Sequence, residues 1–242
     1  MSTILKIKNP LVSVNWLCQN IDATNLVVLN GTLPKVTSKK EHAFSETTQI
    51  INARFFDIKK VFSIQDAPFP NTSLKPKEFQ AKARALGIHN DSCIVVYDEH
   101  GIYSSPRVWW LFKTMGFENI AVLNGGFPAW KTIGGAIEKK GNKVVKAGDF
   151  TGSHKAQLLI DSEAVFNAIS DTTKQIIDAR SSGRFYAIEP EPRLDLRRGH
   201  IPESKNLPYS TILKGEELKS VKELLLLFNE MNAEDKELIF SC

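Results

Sequence analysis

The chain has 242 residues, 42% of them hydrophobic and 24% charged, with a formal net charge of +4. That composition is ordinary for a globular protein, and the length suits one large domain or two of average size. The weak positive charge forms no Lys/Arg stripe with interleaved aromatics, which argues against nucleic acid as a partner, and no apolar run approaches the ~18 residues of a membrane span.

The N-terminus carries Lys6 and Lys8 inside its only apolar patch, so it lacks the hydrophobic stretch of a signal peptide. The expectation is a cytoplasmic protein with neither a membrane nor a nucleic acid as partner. In chain order, "SVNWLCQNI" (13–21) reads as a short amphipathic helix holding Cys18. Strands are expected at 25–31, 50–58, 93–98, 119–126, 175–180, 204–210 and 237–242. These runs are apolar on both faces instead of alternating, as parallel strands covered by helices on each side are. Helices are expected between them: "KPKEFQAKARALG" with Pro76 near its start and Gly87 after its end, "SPRVWWLFKTMG", "DSEAVFNAIS" and "LKSVKELLLLFNEMN". Alternating strands and helices mean an α/β fold. The Lys/Gly-rich stretch from 139 to 156 reads as a linker between a first domain (1–138) and a second (157–242).

Three cysteines, odd in number and widely spaced, argue against a disulfide framework. Cys18 and Cys93 are expected to be buried structural thiols. Trp109 and Trp110 follow Pro106 on a helix and are expected in the core. The scattered histidines show no metal-ligand spacing, and no cofactor motif is present. The halves resemble each other: "HNDSCIVVYD" (89–98) matches "NAEDKELIFSC" (232–242), which sets Cys242 opposite Asp98. The first half continues past Asp98 through a turn, a helix, a strand and another helix, whereas the sequence stops at Cys242.

Eight stretches in order carry a wider resemblance: "LVSVNWL", "ARFFDI", "IVVYDEHGIYSSPRVWW", "VLNGGFPAW", "IIDARSSGRF", "EPEPR", "RRGHIP" and "LIFSC". Together they resemble the tandem-domain rhodaneses, the thiosulfate and 3-mercaptopyruvate sulfurtransferases. The resemblance implies two tandem rhodanese-like domains, each a parallel sheet flanked by helices, the first non-catalytic and the second incomplete at its C-terminus. It implies that Cys242 carries a transferred sulfur as a persulfide, whereas Asp98, a carboxylate, cannot. Arg184 and Arg193 match two arginines that bind the mercaptopyruvate carboxylate and carbonyl, a task suited to a planar guanidinium fork. The alternatives are a structural ion pair for Arg184 and a solvated loop charge for Arg193. Asp178 and Arg180 read as a strand-end charge pair, and His200 as a residue fixing a local turn.

The sequence departs from the mercaptopyruvate pattern at Lys59, where an acid is common, and at Asn71, near a usual histidine. None of the loop that follows the cysteine in the family is present, and a terminal carboxylate next to the thiol disfavours its thiolate. The expectation is therefore little turnover by this polypeptide and a weakly stable second domain. The leading function is transfer of sulfane sulfur from 3-mercaptopyruvate to cyanide or a thiol such as thioredoxin. Thiosulfate as donor and a catalytically inactive rhodanese-like binding module remain open, with a related cysteine phosphatase further off.

Overall fold

The computed structural model describes residues 4–35, 47–141, 144–193, 196–231, 233 and 235–242. They fall into two units, Met1–Leu158 and Leu159–Cys242. The first contains β1 (Leu11–Val12), α1 (Val14–Asn20), β2 (Leu26–Asn30), β3 (Thr48–Ile50), β4 (Arg54–Phe55), α2 (Pro76–Ala85), β5 (Cys93–Tyr97), α3 (Ser105–Thr114), β6 (Ile120–Leu123), α4 (Gly126–Thr132) and β7 (Ile137–Lys139). Its main sheet has the order β1-β6-β5-β2-β4, and every pairing is parallel.

The chemistry of the strands explains their place. Every residue of β5 and β6 is buried, so side chains leaving either face must meet an apolar layer. On one layer, Leu17 of α1 and Phe127 and Trp130 of α4 join Val28, Val95, Tyr97, Ala121 and Leu123. A second cluster is aromatic: Phe79 of α2 meets Phe112 of α3 edge-on at 5.1 Å between ring centres, and both contact Phe150. Alpha-helix starts follow local rules as well. The Ser13 hydroxyl caps α1 by accepting from the Trp16 amide, and Pro76 occupies the first turn of α2.

Phe150 corrects the expected linker. It is 0% exposed, its amide donates to the Ile88 carbonyl, and the amides of Ser153 and Lys155 donate to Met115 and Thr114. Residues 144–158 are thus a strap on the first unit, and the boundary falls after Leu158. The strand expected over 50–58 also divides. Asn52 adopts a left-handed conformation (φ 61°), which Asn tolerates better than most residues. The chain before it forms β3, antiparallel to β7, and the chain after it forms β4 beside β2. Cys93 is buried as expected, and burial pushes its thiol up to about 12. Cys18 is exposed instead, on the outer side of a seven-residue helix whose one buried residue is Leu17. Trp110 is exposed too, its indole N–H donating to the Leu158 carbonyl.

The second unit contains α5 (Ser162–Ala168), β8 (Lys174–Asp178), α6 (Ser182–Phe185), β9 (Lys205–Asn206), β10 (Leu213–Lys214), β11 (Glu217–Leu218), α7 (Val221–Glu230) and β12 (Glu237–Ser241). Its parallel sheet has the order β12-β8-β9, and β10 and β11 form a small antiparallel hairpin. The strand expected over 204–210 is only two residues long: the amides of Leu207 and Tyr209 still donate to the carbonyls of Asp178 and Ala179, but the chain turns into a 3-10 helix at Tyr209–Ile212. Asp161 caps α5, and Ser220 with Glu223 forms a capping box at α7. Among the described residues, no helix is long and apolar enough to cross a membrane.

Candidate active site

The two sheets repeat one local construction. In the first unit Tyr97 at the end of β5 pairs with Asn30 at the end of β2, and the Gly31 amide donates to the Tyr97 carbonyl at 2.9 Å. In the second, Ser241 at the end of β12 pairs with Asp178 at the end of β8, and the Ala179 amide donates to the Ser241 carbonyl at 2.8 Å. The third strand agrees: Phe55 pairs with Asn30, and Asn206 pairs with Asp178. Asp98 and Cys242 are therefore equivalent positions, each the first residue beyond the carboxyl end of a parallel strand. In open α/β sheets that end is where ligands bind.

In the first unit the position is filled by an anion. One carboxylate oxygen of Asp98 accepts from the amides of Tyr103, Ser104 and Ser105 at 2.9–3.0 Å and from the Ser105 hydroxyl at 2.7 Å. The other accepts from the His100 amide at 2.9 Å. These donors lie in the loop that enters α3, so the nest of N–H groups and the helix N-terminus favour the same negative charge. Gly126 lets the chain close over this loop. A Cβ there would stand 2.3 Å from the Gly101 carbonyl oxygen, at a left-handed φ of 52°.

In the second unit Cys242 is a free, exposed thiol. Beside it the turn after β8 carries a chain of charges. The Arg180 guanidinium donates to both oxygens of Asp178 at 2.6–3.0 Å, to the Gly199 carbonyl at 2.7 Å and to one oxygen of Glu191 at 2.8 Å. The Asp178 contact, with Glu191 behind it, raises the Arg180 pKa above its ordinary value. The strand-end pair expected from "DAR" is present, within a larger network. Arg184 of α6 donates from Nε and Nη2 to the second Glu191 oxygen at 2.9 and 2.6 Å. Its side-on edge is thus occupied by protein, and the Nη1 side of the fork is left facing outward from the pair. Arg193 is exposed, and among the described residues nothing forms an ion pair with its guanidinium.

The turn is braced from below. The Asn206 amide donates to the carbonyls of Asp178 and Arg180 at 3.0 and 2.9 Å, while its carbonyl oxygen accepts from the Ser182 hydroxyl at 2.8 Å. His200 does more than fix a local turn: Nδ1 contacts the Phe185 carbonyl at 2.9 Å, fifteen residues away, and its ring stacks on that of Phe185 at 3.9 Å. Glu191 is the residue that sequence reasoning passed over. An acid between Pro190 and Pro192 reads as a solvated loop charge, yet it is 6% exposed. The available signal was the pair of arginines upstream, since a buried carboxylate requires cationic partners. Among the described residues no cluster of His, Cys, Asp or Glu is placed to hold a metal ion.

Comparison with known proteins agrees with this layout. A family model described as a Rhodanese-like domain matches residues 13–133. The chain is 32% identical over 234 residues to the 3-mercaptopyruvate sulfurtransferase of Escherichia coli K12, covering 96% of this chain and 83% of that protein. It is 34% identical to the mitochondrial thiosulfate/3-mercaptopyruvate sulfurtransferase 1 of Arabidopsis thaliana, covering 87% of this chain and 62% of that one. The crystal structure of SseA from Escherichia coli, a 3-mercaptopyruvate sulfotransferase with the rhodanese fold, superimposes with a TM-score of 0.85 at 30% identity. That match covers 97% of this chain and 88% of the other.

Proposed function

Because this chain belongs to the rhodanese family and its sulfurtransferase branch, we propose that it transfers sulfane sulfur from 3-mercaptopyruvate through a persulfide on Cys242. The observation that carries this reading is the strand register equating Cys242 with Asp98. At that position the fold ends a strand, and in the other copy it gathers N–H donors around a negative charge. A thiolate or persulfide anion has the same electrostatic need.

In the first half-reaction the Cys242 thiolate attacks the donor's sulfur. The carbon–sulfur bond breaks, its electron pair passes to the methylene carbon as the enolate of pyruvate, and the sulfur's proton moves to that carbon. Cys242 is left as a persulfide. An acceptor thiolate, such as that of a thioredoxin, then attacks the outer sulfur and releases the cysteine thiolate; cyanide in the same role leaves as thiocyanate. No redox partner is needed, and the two steps form a double displacement. Arg193 and the outward side of Arg184 supply cationic hydrogen bonds for the donor's carboxylate and for negative charge developing at its carbonyl.

The test is a single-loading experiment, which needs no turnover. After treatment with mercaptopyruvate, mass spectrometry should find one added sulfur, about 32 Da, on the Cys242 peptide, and Cys242→Ser should abolish it. An adduct only on Cys18, or none at all, overturns the assignment. Arg193→Ala should raise the half-saturating mercaptopyruvate concentration by about 10–100-fold, the equivalent of a charge-assisted bond of ~1.5–3 kcal/mol. Loading from thiosulfate should change little. Equal loss with both donors removes the case for preferring the organic acid.

A further inference from the structure

Glu191 has no part in the chemistry above, yet its placement is unusually constrained. It lies between Pro190 and Pro192, and a residue preceding proline is confined to extended backbone. Each of its oxygens serves a different arginine: one takes Arg180 Nη1 at 2.8 Å, the other takes Arg184 Nε and Nη2 at 2.9 and 2.6 Å. The two arginines depend on it unequally. Arg180 is also held by both oxygens of Asp178 and by the Gly199 carbonyl, so it keeps its orientation without Glu191. Among the described residues, the side-chain bonds of Arg184 all go to Glu191.

We propose that Glu191 is a positioning residue that fixes the Arg184 guanidinium, relative to the strand end bearing Cys242, for the reacting end of an α-keto-acid donor. This rests on the reading that Arg184 receives the donor. The path runs through hydrogen bonds and one step along the chain. β12 is tied to Ala179 by the Ser241 carbonyl, Arg180 follows in sequence, and Glu191 bridges Arg180 to Arg184. A long side chain such as Arg loses up to ~2 kcal/mol of rotamer freedom when fixed, and here Glu191 imposes that cost before the donor arrives. Glu191 also directs use of the fork, since covering the Nε–Nη2 edge leaves Nη1 for the donor. Its negative charge opposes anion binding in general. Removing it therefore weakens alignment while leaving the site's attraction for anions intact or stronger, and the effect belongs in the limiting rate of sulfur transfer.

The experiment compares the limiting rate of Cys242 persulfidation from mercaptopyruvate with that from inorganic polysulfide, which has no carboxylate or carbonyl to align. In Glu191→Gln the mercaptopyruvate rate should fall at least about tenfold, as expected when a reacting group is misplaced by a fraction of an ångström to an ångström. The half-saturating concentration should not rise, and the polysulfide rate should stay within about twofold. Glu191→Asp keeps the charge but is one methylene too short to bridge both arginines, and it should fall between. In an Arg184→Ala background, Glu191→Gln should add nothing, because its effect passes through that side chain. Equal loss with both donors, or full additivity with Arg184→Ala, overturns the proposal and leaves Glu191 a folding residue. Failure of the wild-type protein to acquire any sulfur from mercaptopyruvate instead overturns the functional reading itself.

Discussion

The two units apply one strand register to opposite ends. In the first, the position after the strand holds Asp98, 0% exposed, with its carboxylate saturated by four amides and a hydroxyl. In the second it holds Cys242, an exposed thiol. A carboxylate in a nest of donors is a permanent counter-charge that makes the loop rigid and leaves no room for a reacting atom. A thiol at the same place is a weaker hydrogen-bond acceptor than a carboxylate. The comparison teaches that one strand register can end in two different side chains: a carboxylate saturated by donors in the first unit and an exposed thiol in the second.

The largest effect should come from emptying the first cradle. Asp98→Ala leaves a group of buried N–H donors and the Ser105 hydroxyl without an acceptor, at ~1–3 kcal/mol for each that water cannot reach. A loss above about 4 kcal/mol is expected in denaturant unfolding of the first unit, enough to unfold a marginal domain. Asp98→Asn keeps one acceptor oxygen and should lose markedly less. Equal losses would mean that the donors find other partners and that the cradle is no special feature. Next in size is the strap. Phe150→Ala should destabilise the first unit by about 3–5 kcal/mol, as buried Phe truncations do. A true linker residue would change nothing.

That strap also shows where sequence patterns stop being informative. β2, β5, β6 and β8 were each visible as short two-faced apolar runs, because burial on both sides leaves no polar alternation; β12 reads the same in the sequence although its Phe240 is 59% exposed. The Asp98–Cys242 equivalence was visible too, since the turn and strand preceding each are alike. Phe150 was not, because one aromatic in a Lys/Gly-rich stretch carries no period, and its partners lie on α2 and α3, far away in sequence. Glu191 was hidden for a different reason: its flanking prolines read as an exposed loop, although its arginine partners lie only 11 and 7 residues upstream. Of the side chains named for the donor, Arg184 lies in the charged network of the β8 turn, paired with Glu191 as its ion-pair alternative expected.

Smaller in energy, but sharper in chemistry, is the contrast among thiols. Burial pushes Cys93 up to about 12, so at pH 8 it is neutral and shielded, whereas Cys18 and Cys242 are exposed. Iodoacetamide at pH 8 should label Cys18 and Cys242 in the folded protein and Cys93 only after denaturation. Labelling of all three at similar rates would show that β5 opens readily, contrary to its burial between β2 and β6.

The smallest effect separates the helices that precede the equivalent strands. Phe79 on α2 is buried against Phe112 of α3 and Phe150 of the strap. Leu225 on α7 is 57% exposed, and no residue of α7 is buried. Among the described residues of the second unit, nothing lies over α7 as α3 and the strap lie over α2. Truncating Phe79 to Ala should therefore cost about 3–5 kcal/mol, while Leu225→Ala should stay within about 0.5 kcal/mol. Both are read by denaturant titration of the same chain. If Leu225→Ala costs as much as a core truncation, α7 is covered in solution, and the two units are more alike than their helices suggest.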